Sequence, residues 1–290
     1  MIWTHISFSS QIEPSGGVGY NGPAMPNAQT HLAAVCALLA RPPIQAAFRW
    51  LADEQARAAF LLGAISPDVR ALSGQAREET HFFVIPPDDP RPAQAVMLER
   101  WPALRDASTL QRPHAAFVAG YITHLVMDQV WVEQVVMPAL FIDGQAWGTD
   151  HPGWRLYGIL MTYLEYRASD RIPAGTLSTL AKAEPHNWLP FVSDHYLAAW
   201  RDRVVHVART GGARRLSALF AGSSGMTADE LEAIVLSDER MQAEAFSVIA
   251  RERLAAFERE ADERSADAVL EYLGHDAPAV NPHSTGKDQP

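Results

Sequence analysis

The stretch FVAGYITHLVMDQVWVEQVV, from Phe117 to Val136, decides how this chain is read. It is apolar almost throughout and shows no strand-like alternation, so it predicts a long buried helix. His124 and Asp128 stand in its middle at i and i+4, which places both side chains on one helical face about one turn apart. Two readings fit that pair. The imidazole and the carboxylate satisfy each other in the core, or both ligate one metal ion.

Working outward, the flanking sequence also reads as helix. Ala28 to Ala40 forms a helix ended by Pro42 and Pro43, and Leu51 to Ala64 forms another, stopped at Ser66-Pro67. The run from Ser66 to Phe83 reads as a loop with a short helix, and VIPPDDPRP, with its prolines, as an exposed connector. Ala93 to Arg105 follows, and Pro113 suits the first turn of the central helix. Trp154 to Arg171, Leu177 to Ala183 with Thr176 as N-cap, and Pro190 to Thr210 continue the pattern. Thr227 and Glu230 match a capping box, and Ser237 is placed as the cap of a last helix running to Leu273. The fold class expected is therefore all-α, a multi-helix bundle with a metal site between helices. The expected organisation is a mobile leader at 1–24, a helical domain at 25–210, a C-terminal helical extension packed on it at 211–274, and a disordered tail at 275–290. Met25 reads as a natural start for the folded part.

The chain has 290 residues, 48% hydrophobic and 20% charged, which suffices for a substantial core. A formal net charge of −10 argues against sequence-independent nucleic-acid binding, which needs Lys and Arg to neutralise phosphates. The single cysteine, Cys36, sits in the apolar segment HLAAVCALLA, excludes an internal disulfide and fits a reducing compartment. No charge-free run of eighteen apolar residues predicts a membrane span, and the first residues lack the pattern of a secretory signal. A cytoplasmic location is expected.

Further candidate ligands stand at the edges of apolar segments: His31 inside the first helix, Asp68 in GAISPD, and His81 in EETHFF. Imidazole and carboxylate together suit zinc, and buried carboxylates converging on one core call for a cation. His114, His186 and His195 are weaker, and Tyr121 and Trp131 read as packing.

The ordered set of His31, LLGAISPD, HFF and AFVAGYITHLVMD resembles the zinc-dependent phospholipase C family, whose helical fold is shared by fungal single-strand nucleases. The resemblance spans Met25 to Ala168. It implies that Asp68, His81, His124 and Asp128 hold a principal zinc, with His31 on a neighbouring zinc and Asp128 bridging, so one or two ions in all. It implies phosphoester hydrolysis by activated water, with Asp68 as ligand or as the catalytic general base. The expected ligand is a phosphoester small molecule or a phospholipid headgroup. Two departures stand out. The family uses the amine of an N-terminal Trp at its second zinc, and here the nearest preceding tryptophan is Trp3. The third family site needs two His and a Glu. This chain keeps Glu165, but has Met161 four residues before it, and Val132 and Gln134 after Asp128 where a His is expected; His151 is the candidate substitute. The alternative is a non-catalytic metal-binding helical protein with a degenerate site.

Overall fold

The computed structural model describes residues 28–140, 153–210 and 224–274. The leader 1–24, the tail 275–290 and His151 lie outside them. The described residues contain helices and no strand, so the protein is an all-α multi-helix bundle. In chain order the helices are α1 (Ala28–Leu39), α2 (Pro42–Ala47), α3 (Glu54–Gly63), α4 (Arg70–Ser73), α5 (Arg77–Thr80), α6 (Ala93–Arg100) and α7 (Arg112–Trp131). They continue with α8 (Gly153–Ser169), α9 (Thr176–Leu180), α10 (Asp194–Arg209), α11 (Ala228–Val235), α12 (Asp238–Met241) and α13 (Arg251–Gly274).

Helix α7 is the axis of the bundle. It begins with Pro113 in its first turn, as the sequence predicts, and passes into a π-helical stretch, Val132–Leu140. The helix Arg112–Ala139 has the length and hydropathy of a membrane span, and its apolar eighteen-residue window is 94% buried inside the protein. On one side α7 crosses α3 at two glycines. A Cβ on Gly120 would lie 2.1 Å from Phe60 O, and a Cβ on Gly63 would lie 2.0 Å from Phe117 O. Only glycine permits that approach, because each backbone fills the space where the other's side chain would stand. On another side α13 presents Leu254, Phe257, Ala261 and Val269, a stripe of buried residues at helical spacing, and Phe257 meets Trp131 edge-on at 5.1 Å. Trp131 is thus core, as expected.

Several boundaries differ from the sequence reading, each for a local reason. Pro42 and Pro43 do not merely end α1; they occupy the first turn of α2, where a missing N–H costs little. The helix placed at Leu51 starts at Glu54, because the Asp53 carboxylate accepts from the N–H of Gln55 (3.0 Å) and Ala56 (3.2 Å). Helix α6 stops at Arg100 because Pro102 disfavours helical geometry at Trp101. Thr176 is not an N-cap: Gly175, at φ 89°, takes that position, and the Thr176 hydroxyl lies 3.6 Å from the buried Cys36 thiol. Helix α10 begins at Asp194, beyond Pro190. Thr227 caps α11 by accepting from Glu230 N–H at 3.1 Å, while the Glu230 carboxylate turns to Arg155. Ser237 caps α12, not the last helix, which starts afresh at Arg251.

Candidate metal centre

Four elements bring the candidate ligands together. His31 comes from the first turns of α1, Asp68 from the 3-10 turn Ser66–Val69, His81 from the residue just after α5, and His124 and Asp128 from the middle of α7. The Asp68 turn is pinned from both sides. Ser66 Oγ donates to Leu62 O at 2.7 Å, and Trp200 Nε1 on α10 donates to Ile65 O at 2.6 Å. The His81 segment is held by Tyr121, whose hydroxyl donates to Thr80 O at 2.5 Å. Tyr121 therefore does more than pack. Immediately after His81 the chain reverses through Phe82 at φ 60°, a left-handed conformation costly for a bulky residue. Packing of its ring against Phe191 at 5.4 Å keeps it there.

The donor atoms of His31, Asp68 and His124 lie within 4.8 Å of one another, and so do those of His81, His124 and Asp128. His31, His81, His124 and Asp128 are each 1% exposed or less, while Asp68 reaches solvent at 24%. His31 Nε2 is 3.4 Å from Asp128 Oδ1; His81 Nε2 is 3.4 Å and His124 Nε2 3.6 Å from Asp128 Oδ2. His81 Nε2 is also 3.5 Å from Asp68 Oδ1. None of the three Nε2 atoms makes a hydrogen bond, and neither does Asp128 Oδ1.

These spacings separate the two readings of the His124–Asp128 pair. A charge-assisted hydrogen bond closes to about 2.7–2.9 Å. Two ligands held about 2.0–2.1 Å from one tetrahedral ion stand about 3.3–3.4 Å apart. The tautomers agree with the second case. His124 Nδ1 lies 2.8 Å from Ala64 O, a pure acceptor, so its proton sits on Nδ1 and the Nε2 lone pair faces inward. His81 Nδ1 lies 3.0 Å from Thr80 Oγ1, whose own hydrogen is directed to Arg77 O, with the same consequence. Two inward lone pairs, on His81 and His124, and the unpartnered His31 Nε2 face one carboxylate, an arrangement that a cation would complete. The buried His/Asp cluster around Asp128 is a fit for a metal ion. His124 belongs to both donor groups, and its Nε2 has one lone pair, so it can ligate an ion in one group or the other but not in both.

For His31, His81 and the two carboxylates the electrostatics point the same way, with His124 the exception. Burial and the neighbouring His124 hold His31 below its ordinary pKa, and burial together with Arg77 takes His81 down to about 3, so both are neutral and ready to ligate. Burial opposes ionisation of Asp128, but His124, His31 and Arg77 outweigh it and hold the carboxyl well below its usual range. Burial likewise opposes Asp68, and His81 and His124 pull it down. His124, against its own burial, is raised by Asp128.

Arg77 was not singled out from the sequence. Its Nη2 donates to Asp128 Oδ2 at 3.0 Å. The signal available was its position four residues before His81, which puts both on one face of a helical turn. Glu165 joins neither donor group among the described residues. Its Oε1 accepts from the Thr30 N–H at 3.1 Å and the Thr30 hydroxyl at 2.7 Å, so it caps the first turn of α1, and burial lifts its pKa to about 7. His114 is committed to Trp188 O at 2.8 Å, and His186 and His195 join neither group. Behind His31 a hollow of about 310 Å³ opens between α1 and α13, walled by Ala33, Ala34, Ala37 and Ala261, so His31 is the ligand with room to adjust.

No protein-family model, curated protein or solved structure matches this chain.

Proposed function

We propose that this chain is a metal-dependent phosphoric ester hydrolase of the phospholipase C type, with zinc at the centre formed by His31, Asp68, His81, His124 and Asp128. The observation that carries the reading is the set of three unpartnered imidazole Nε2 atoms 3.4–3.6 Å from one buried carboxylate. Mixed imidazole and carboxylate donors suit zinc better than magnesium or calcium, which prefer all-oxygen shells. A zinc ion there supplies Lewis acidity toward a phosphoryl oxygen and lowers the pKa of water. The chain's own residues divide the remaining work. His81, His124 and Asp128 fix the centre in the core. Asp68, the most exposed member, is held ionised and stands where a ligand enters, placed to accept a proton from an attacking water. Glu165 is committed to Thr30, which supports a smaller metal complement than the three ions of the family that the motifs resemble. The ligand on this reading is a phosphoester, either a small molecule or a phospholipid headgroup.

The near-complete burial of the three imidazoles favours a second reading, a metal that stabilises the bundle without catalysis. One experiment separates them. Metal per chain is measured on protein purified without chelator, and a panel of phosphomonoesters, phosphodiesters and phosphocholine esters is then assayed. Zinc with chelator-sensitive hydrolysis supports the first reading, zinc without hydrolysis the second, and a metal-free, fully stable protein rejects both.

A further inference from the structure

Asp128 carries a second positive neighbour besides the imidazoles. Arg77 reaches it through one N–H, from Nη2 to Oδ2 at 3.0 Å, whereas Arg–carboxylate pairs are frequently two-pronged. The other carboxylate oxygen, Oδ1, makes no hydrogen bond, and the Arg77 Nε–H is buried without a partner. The guanidinium lies on the Phe83 ring, 4.9 Å from its centroid, which fixes its plane. Its side chain is 12% exposed. With Asp68 at 24%, it belongs to the part of the centre that meets solvent, while the imidazoles lie beneath. A guanidinium at the solvent-facing edge of a site, with an idle buried donor, suits an anionic ligand.

We propose that Arg77 is the oxyanion-binding residue of this centre. It holds a non-bridging oxygen of a phosphate-type tetrahedral anion with its spare donors, and supplies beside Asp128 the positive charge that a second metal ion would otherwise provide. This rests on the phosphoesterase reading above and goes further, because it assigns the anion to a protein cation and one ion to the metal centre.

The test is titration of inorganic phosphate into the zinc-supplemented full chain by calorimetry, with metal per chain measured on the same samples. Wild type, Arg77→Met and Arg77→Lys are compared. The expected result is about one zinc in all three. Phosphate affinity falls about 10- to 100-fold in Arg77→Met, the range of a lost hydrogen bond to a charged group. Arg77→Lys keeps the charge beside Asp128 but lacks the fork, so its affinity should lie between the two. It also covers the case in which the methionine variant fails to fold. Unchanged phosphate affinity in both variants overturns the proposal, as does a wild type that binds zinc but no phosphate. A loss of zinc in step with phosphate also overturns it, because Arg77 would then only position Asp128. A wild type that binds phosphate through Arg77 but no zinc keeps the anion-binding role of Arg77 and sinks both the metal reading and the assignment of one ion to the centre.

Discussion

Replacing Gly120 by alanine tests how the fold builds the site. The new Cβ would stand 2.1 Å from Phe60 O and 3.0 Å from Ala64 N, both backbone atoms of α3 that no rotamer change can move. Ordinary contact needs about 3.4 Å, so α3 and α7 must part by more than about 1 Å at their crossing. Overpacking of this kind costs about 1–3 kcal/mol, and the rigid obstacle puts it at about 3 or above. Alanine returns about 1 kcal/mol through helix propensity, leaving a net loss of about 2–3 kcal/mol. At about 2–4 °C per kcal/mol, the melting temperature should fall by about 4–12 °C. The same crossing carries the His124 Nδ1 hydrogen bond to Ala64 O, at 2.8 Å. Parting the helices breaks that bond, so zinc affinity should fall about 10- to 100-fold, the usual effect of losing the group that orients a ligand. Gly63→Ala meets Phe117 O at 2.0 Å and should behave alike. The double variant should lose less than the sum, since one substitution already opens the crossing. The assay is thermal unfolding with and without zinc, plus competition against a chromophoric chelator. A Gly120→Ala protein that melts within about 1 °C of wild type refutes the packing argument; one that melts early yet binds zinc normally refutes its link to His124.

Three further outcomes are expected. His124→Ala should lose bound metal and about 2–4 kcal/mol of stability, from the cavity and the unpaired Ala64 carbonyl; metal content equal to wild type would make His124 a plain core residue. Glu165 titrates near 7 in the fold, against about 4.3 unfolded. An acid with a raised folded pKa contributes stability that is fully present below the unfolded value and lost as pH rises through the folded one, here about 3 kcal/mol between pH 4 and 7. Glu165→Gln should therefore match wild type near pH 4 and exceed it at pH 8 in urea denaturation, with metal content unchanged; parallel pH profiles would remove the titration argument, and lost zinc would make Glu165 a ligand. Zinc returned to chelator-treated protein at about a hundred times its Kd should add about 2.7 kcal/mol, or about 5–10 °C in melting temperature; no shift would mean that the centre holds no metal.

What the sequence made legible follows the range of each interaction. The central helix and the shared face of His124 and Asp128 come from neighbours along the chain, so spacing alone revealed them. Gly63 and Gly120 stand inside the motifs LLGAISPD and AFVAGYITHLVMD, and only the structure gives their cause, a backbone crossing whose partners are more than fifty residues apart. Arg77 was missed because its partner is Asp128, again a long-range pairing, and because an arginine in REETH looks like ordinary surface charge. Tyr121 was read as packing because nothing local shows its hydroxyl reaching Thr80 O. Thr176 and Ser237 were misplaced for the opposite reason. Cap residues are good local signals, but Gly175 at positive φ and the separate start of α13 shifted which helix, or which position, each one serves.

The burial of the centre constrains what the protein can be without a cation. His31, His81 and His124 each present a buried Nε2 with no partner, and Asp128 Oδ1 makes a fourth such atom. An unsatisfied buried polar atom costs about 1–3 kcal/mol, so the four together cost about 4–12 kcal/mol. That is comparable with the whole stability of an ordinary domain, about 5–15 kcal/mol. Arg77 relieves only Oδ2. Protonating His124 would add a donor, but at 3.6 Å it stands too far from Asp128 to close a strong bond without pulling α7 away from Ala64. An apolar replacement of the cluster would be cheaper for a protein that needed only a core. A metal ion held by such a donor group would turn several of these atoms from liabilities into ligands, and zinc binding in small structural sites contributes about 10–16 kcal/mol, a size that would offset the penalty. The cluster therefore makes physical sense as the lining of a cation site.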